Sequence, residues 1–148
     1  MTTPGGGAPD ESALLHQDAR DDRETGVREI HVVTRRSARF YVLGDPADGR
    51  APAALWLVMH GYGQLARRFV RHFRGIASAR RAIVAPEALN RFYVAGAGDV
   101  RSHRDAPVGA TWMTREDRDR EIEDQHAYLD AVVATLRDEF PGETPRLV

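Results

Sequence analysis

Apolar residues first gather in two short runs, Glu29–Thr34 and Arg39–Leu43, rich in Val, Ile, Phe and Tyr and separated by the polar Arg35-Arg36-Ser37. That pattern predicts an antiparallel hairpin. Gly44–Pro52, with its glycines and prolines, predicts a turn. Ala53–Met59 (AALWLVM) is apolar without alternation, the pattern of a strand covered on both faces, as in a sheet between helices. Leu65, Phe69, Phe73 and Ile76 follow at spacings of four, four and three, which marks one face of a helix. Ala82–Ala85 (AIVA), closed by Pro86, predicts a second buried strand. Strand, helix and strand in that succession make a βαβ unit, with parallel strands and a right-handed crossover.

Pro86–Met113 shows no period and holds scattered glycines and aromatics, so it reads as a long loop. It leaves the C-terminal end of a buried strand, where α/β sheets bind their ligands. The clearest helix comes next. Thr114 and Asp117 have the spacing of a capping box, and Ile122, His126, Leu129, Val133, Leu136 and Phe140 follow at spacings of four, three, four, three and four. The stripe predicts a helix of about 25 residues, stopped by Pro141-Gly142. The charges from Arg115 to Glu121 alternate in sign, and Glu116 and Arg120 form an i,i+4 pair, so this stretch reads as a solvated face. Arg146-Leu147-Val148 reads as the beginning of a further strand.

Composition sharpens this picture in a few places. Residues 1–27, rich in Gly, Pro and charge, lack the apolar surface to offset their ordering entropy and are expected to be a disordered tail. One domain is expected over residues 28–148. With 21 basic against 22 acidic residues and no block of either sign, nothing points to nucleic acid. All the basic residues are arginine, which fits codon bias in a GC-rich bacterial genome. The absence of cysteine excludes disulfides, thiol nucleophiles and cysteine-based zinc sites. No apolar run is long enough to span a membrane and no signal peptide is evident, so a cytoplasmic location is expected. His72, His103 and His126 lack metal-ligand spacing, and no metal site is expected from them.

The candidate chemistry lies in His60-Gly61-Tyr62-Gly63, directly after one buried strand and directly before a helix. A reaction that builds negative charge on a carbonyl oxygen needs preorganised N–H donors at that point. Glycines at 61 and 63 let the backbone approach closely and adopt positive φ, and a helix N-terminus adds partial positive charge. The succession LVMHGYG, VAPEA, GATWM and a long helix resembles the phospholipase/carboxylesterase group of α/β-hydrolases, over residues 28–148. The resemblance implies a partial α/β-hydrolase fold: an N-terminal β-hairpin joined to a parallel βαβ sheet flanked by helices. It implies hydrolysis of carboxylic esters or thioesters without metal or organic cofactor, with the backbone N–H of Tyr62 in the oxyanion hole and His60, Gly61 and Gly63 shaping the loop. Asn90, Arg91, Phe92, Tyr93 and Trp112 either line an acyl pocket or seal the loop onto the sheet.

In that fold the nucleophile lies in a Gly-x-Ser-x-Gly turn after the fifth strand. Ser12, Ser37, Ser78 and Ser102 all lack that context. The expectation is therefore a hydrolase cut short before its nucleophile and inactive alone, with a small-molecule ester as ligand and a complementary C-terminal fragment as partner. The edge of Leu55–Met59 would then be unprotected, favouring self-association. A non-catalytic binding module of the same type, and a Rossmann-like nucleotide binder, are the alternatives.

Overall fold

The computed structural model describes residues 26–44, 51–94, 106–140 and 146–148. In chain order the elements are strands β1 (Phe40–Leu43) and β2 (Ala54–Leu57), a helical turn α1 (Ala66–Phe69) continued by a 3-10 turn (Val70–Phe73), strands β3 (Arg81–Pro86), β4 (Asn90–Tyr93) and β5 (Val108–Thr111), helix α2 (Arg118–Glu139) and the short strand β6 (Arg146–Leu147). The architecture is mixed α/β. The chain divides into two units, residues 1–36 and 37–148.

In the first unit, the tail expected over residues 1–27 lies outside the described residues up to position 25. The expected strand Glu29–Thr34 does not form. Residues 27–36 carry no regular structure, and Ile30, Val32 and Val33 are exposed. Val and Ile favour strands only where a partner strand satisfies their backbone groups. The expected hairpin is thus absent, and β1 takes its antiparallel neighbour from β3 instead, with Phe40 opposite Pro86 and Leu43 opposite Ile83.

The second unit is built on a sheet of order β1-β3-β2-β6. β2 and β3 are parallel and joined through α1, as the βαβ pattern predicts. β3 is the enclosed strand, since Ala82, Ile83, Val84 and Ala85 are fully buried. Its side chains alternate between two clusters. Ala82 and Val84 pack with Leu55 against Val132 and Leu136 of α2. Ile83 and Ala85 pack against Ala66 and Val70. In β2, by contrast, Leu55 alone is fully buried.

Both helical stripes are shifted from expectation. The first helix buries Ala66 and Val70, with Phe73 and Ala77 beside them, while Ile76 is 40% exposed. The change from α to 3-10 winding moves the buried face, because 3-10 helix repeats every three residues. In α2 the buried side chains are Gln125, Val132 and Leu136, and His126 faces outward. Thr114 and Asp117 form no capping box: Asp117 is itself the N-cap, in a left-handed conformation (φ 49), without a side-chain capping bond.

β6 runs parallel to β2, pairing Ala54 with Arg146 and Leu55 with Leu147. The Leu57 N–H donates to the Val148 carbonyl at 3.0 Å. The β2 edge expected to be open is therefore occupied as far as Leu57.

Pro86–Met113 is not one structureless loop. β4 and β5 form an antiparallel pair, with Asn90 opposite Thr111 and Tyr93 opposite Val108. Residues 95–105 between them lie outside the described residues. No helix among the described residues is long and apolar enough to cross a membrane.

Tyr128 ties α2 to the start of β1, its hydroxyl donating to the Arg39 carbonyl at 2.7 Å. Burial raises this hydroxyl from 10.0 to about 12; the Glu87 backbone amide opposes the rise and the Glu87 carboxylate adds to it. Above pH 10 the unfolded chain loses this proton while the native chain keeps it, so the native state holds more protons and stability falls with rising pH. Urea unfolding is expected to give a constant contribution below pH 10.0 and a decline up to about 12. Tyr128→Phe is expected to flatten that decline, and an unchanged slope in the variant would contradict the assignment.

Candidate functional site

Where β2 leaves the sheet, its backbone groups need new partners. The Val58 N–H still donates to the Val84 carbonyl at 2.8 Å. His60 takes over from there, at 3% exposure. The Ala88 N–H donates to His60 Nε2 at 3.1 Å. An amide nitrogen can only donate, so Nε2 holds a lone pair and the ring proton sits on Nδ1. Nδ1 donates to the Gly61 carbonyl at 2.9 Å. Both ring nitrogens are committed, which makes His60 a brace and not a base. The His60 carbonyl accepts the Trp112 indole N–H at 2.9 Å, and the two rings lie 5.2 Å apart.

Gly61–Gln64 forms a turn closed by the Gln64 N–H donating to the Gly61 carbonyl at 3.2 Å. Gly63 has φ 72, as the third residue of a type II turn requires. Gly61 does not need its glycine in the same way, since its φ is not positive. The Gly61 N–H donates to Gln64 Oε1 at 2.8 Å. β5 pairs with the turn: the Gly63 N–H donates to the Ala110 carbonyl at 2.9 Å, and the Ala110 N–H to the Gln64 carbonyl at 3.2 Å. Gly109 allows this approach, because a Cβ there would lie 2.6 Å from the Gly63 carbonyl oxygen. One amide is left over. The Tyr62 N–H has no hydrogen-bond partner among the described residues, and Tyr62 is 77% exposed. A held, unpartnered N–H can donate to an anionic oxygen.

The other residues singled out in the sequence divide into two groups. Trp112 and Asn90 have internal tasks: the indole holds His60, and Asn90 Nδ2 donates to Glu121 Oε1 at 2.6 Å. Phe92 lies beside the loop, its ring 5.2 Å from that of Tyr62. Arg91 and Tyr93 are exposed on the opposite face of β4. The helix that was expected to lend its N-terminal charge is a single α turn, too short for a sizeable dipole.

Sequence reasoning missed the polar face of α2. Glu121, Gln125 and Tyr128 share that face at spacings of four and three. Glu121 also accepts from the Thr114 N–H and hydroxyl, and the Gln125 amide donates to the Trp112 carbonyl. Glu121 and Gln125 sit at the helical period but lack hydrophobicity, so an apolar stripe cannot reveal them; Tyr128 also packs on the core. Glu87 was missed as well. It follows β3, is 2% exposed, and neither carboxyl oxygen has a hydrogen bond among the described residues. Arg39 forms an ion pair with it, Nε lying 3.8 Å from Oε2.

No protein-family model matches the chain, and no curated protein matches it. The functional reading rests on the geometry.

Gly109→Ala is expected to lower stability by about 1–3 kcal/mol in urea unfolding and to shift the Tyr62 amide resonance. An unperturbed loop would mean that the Gly63 contact is not tight. Glu87→Met, which replaces an unbonded buried carboxyl with an apolar side chain of similar length, is expected to leave stability unchanged or raise it by about 1–2 kcal/mol. A large loss on urea unfolding would show that the ion pair with Arg39 outweighs the cost of burying the carboxyl.

Proposed function

We propose that the His60–Gln64 loop is the oxyanion-binding part of a serine-hydrolase-type site for carboxylic esters or thioesters. The observation that carries this reading is the Tyr62 amide: it is unpartnered among the described residues, in a turn whose neighbouring amides are all bonded. Two further features support it. The loop leaves the C-terminal end of a parallel strand, where α/β sheets bind ligands. β2 also lies between β3 and β6, the central position that the α/β-hydrolase resemblance gives to the strand before this loop.

In such a site the oxyanion takes one N–H from this loop and another from the residue after the nucleophile. No Gly-x-Ser-x-Gly occurs in the 148 residues, so the second donor and the nucleophile must come from outside them. These residues therefore supply binding and charge stabilisation and leave bond cleavage to others. A non-catalytic module that binds carbonyl or carboxylate ligands is the second reading, favoured by that same missing motif. A nucleotide site fits less well. A phosphate cradle needs several converging N–H groups, and the amides of Gly61, Gly63 and Gln64 are already committed.

Reading the gene past codon 148 and assaying its product on p-nitrophenyl butyrate tests the proposal. A Gly-x-Ser-x-Gly frame is expected, with hydrolysis that falls about 10²–10³-fold in kcat when Gly63→Val misplaces the Tyr62 amide. Activity insensitive to Gly63 would refute the role of the loop. An inactive product lacking the motif would leave the binding-module reading in its place.

A further inference from the structure

We infer that the exposed ring of Tyr62 and the half-buried ring of Phe92 beside it form a stacking platform that makes the site selective for flat, aromatic acyl groups. This rests on the oxyanion reading of the Tyr62 amide. The rings lie 5.2 Å apart with a 31° tilt, within the range of aromatic pairs that attract one another. Tyr62 presents its ring to solvent at 77% exposure. Phe92 is half-buried, anchored on β4 within a hairpin whose other strand bonds the loop. The pair is therefore held by backbone pairing and does not depend on two free side chains meeting.

Chemistry couples the platform to the amide. The Tyr62 ring is joined to the donor nitrogen through Cα and Cβ alone. A carbonyl whose oxygen sits on that N–H thus brings its substituent within side-chain reach of the rings. An exposed aromatic surface next to a polar donor suits a ligand with one charged end and one flat apolar end. Stacking rewards planarity as well as apolar area. The platform therefore prefers an aryl group over a saturated ring of similar size. The exposed Tyr62 side chain makes no hydrogen bond among the described residues, and its ring contact is with Phe92.

The test is an NMR titration of the 148-residue chain, following the Tyr62 amide with acetate, benzoate and cyclohexanecarboxylate as oxyanion mimics. All three are expected to shift that resonance, with benzoate binding about tenfold more tightly than the other two. Phe92→Leu, which keeps an apolar side chain in β4, is expected to bring the benzoate-to-acetate ratio close to one. Equal affinity for benzoate and cyclohexanecarboxylate overturns the stacking claim, and so does a ratio unchanged in Phe92→Leu. Equal affinity for benzoate and acetate overturns the platform while the oxyanion reading stands. If no carboxylate moves the Tyr62 amide, the oxyanion reading fails and the platform with it.

Discussion

The geometry of the site depends on the buried imidazole of His60. It sits where two parallel strands end together, and there the sheet no longer satisfies the backbone. The ring accepts from Ala88 beyond β3 and donates to Gly61 beyond β2. A single side chain thus holds both strand exits in register after the ladder has ended. Each such bond contributes about 1 kcal/mol, but a buried amide left without its acceptor costs about 1–3 kcal/mol. The neutral tautomer is part of the arrangement, because a protonated Nε2 would turn the Ala88 contact from attractive to repulsive. A histidine in a glycine loop invites a catalytic role, and here its bonds assign it a structural one.

The loop is also clamped from the outer side. Trp112 covers the His60 ring and bonds its carbonyl, and β5 adds paired hydrogen bonds to Gly63 and Gln64. Behind Trp112 stands Gln125, and behind Asn90 stands Glu121. The N-terminal half of α2 therefore supports the loop with polar groups. Its C-terminal half buries Val132 and Leu136 against the sheet. One rigid helix serves both purposes, so the loop inherits the rigidity of the core. A donor amide that must be in place before charge develops needs support of this kind.

What the sequence revealed of this follows from how hydrophobicity signals burial. Ala82–Ala85 was legible because a strand covered by helices carries a continuous apolar run; Ala53–Met59 holds a strand as expected, but Leu55 alone in it is buried. The long helix was legible in extent, running from Arg118 to Glu139. Its buried face was not, since Gln125 is buried to meet a carbonyl and His126 is not buried at all. β5 was hidden because Val108-Gly109-Ala110-Thr111 reads as a loop. Its glycine serves the close approach to Gly63, a contact remote in sequence. Glu29–Thr34 failed in the opposite way, carrying strand-forming residues but forming no strand. The HGYG motif falls in a turn, but its reading gave Gly61 a conformational duty that belongs to Gly63 and Gly109.

The accounting of backbone amides carries more weight than the motif. Glycine loops are common, and most have their N–H groups bonded internally or free to water in no fixed orientation. In this turn the amides on either side of Tyr62 are committed, to Gln64 on one side and to Ala110 on the other. Such neighbours fix the peptide planes, so the remaining N–H is held in direction without being used. Water solvates an exposed donor at little cost, and an anionic oxygen gains a charge-assisted bond there. One donor of this kind is worth about 3–4 kcal/mol in a completed oxyanion site. Without a nucleophile the same donor only binds. On the proposed reading, the chemistry within these residues is recognition of a carbonyl or carboxylate oxygen, and turnover depends on what is brought to face it.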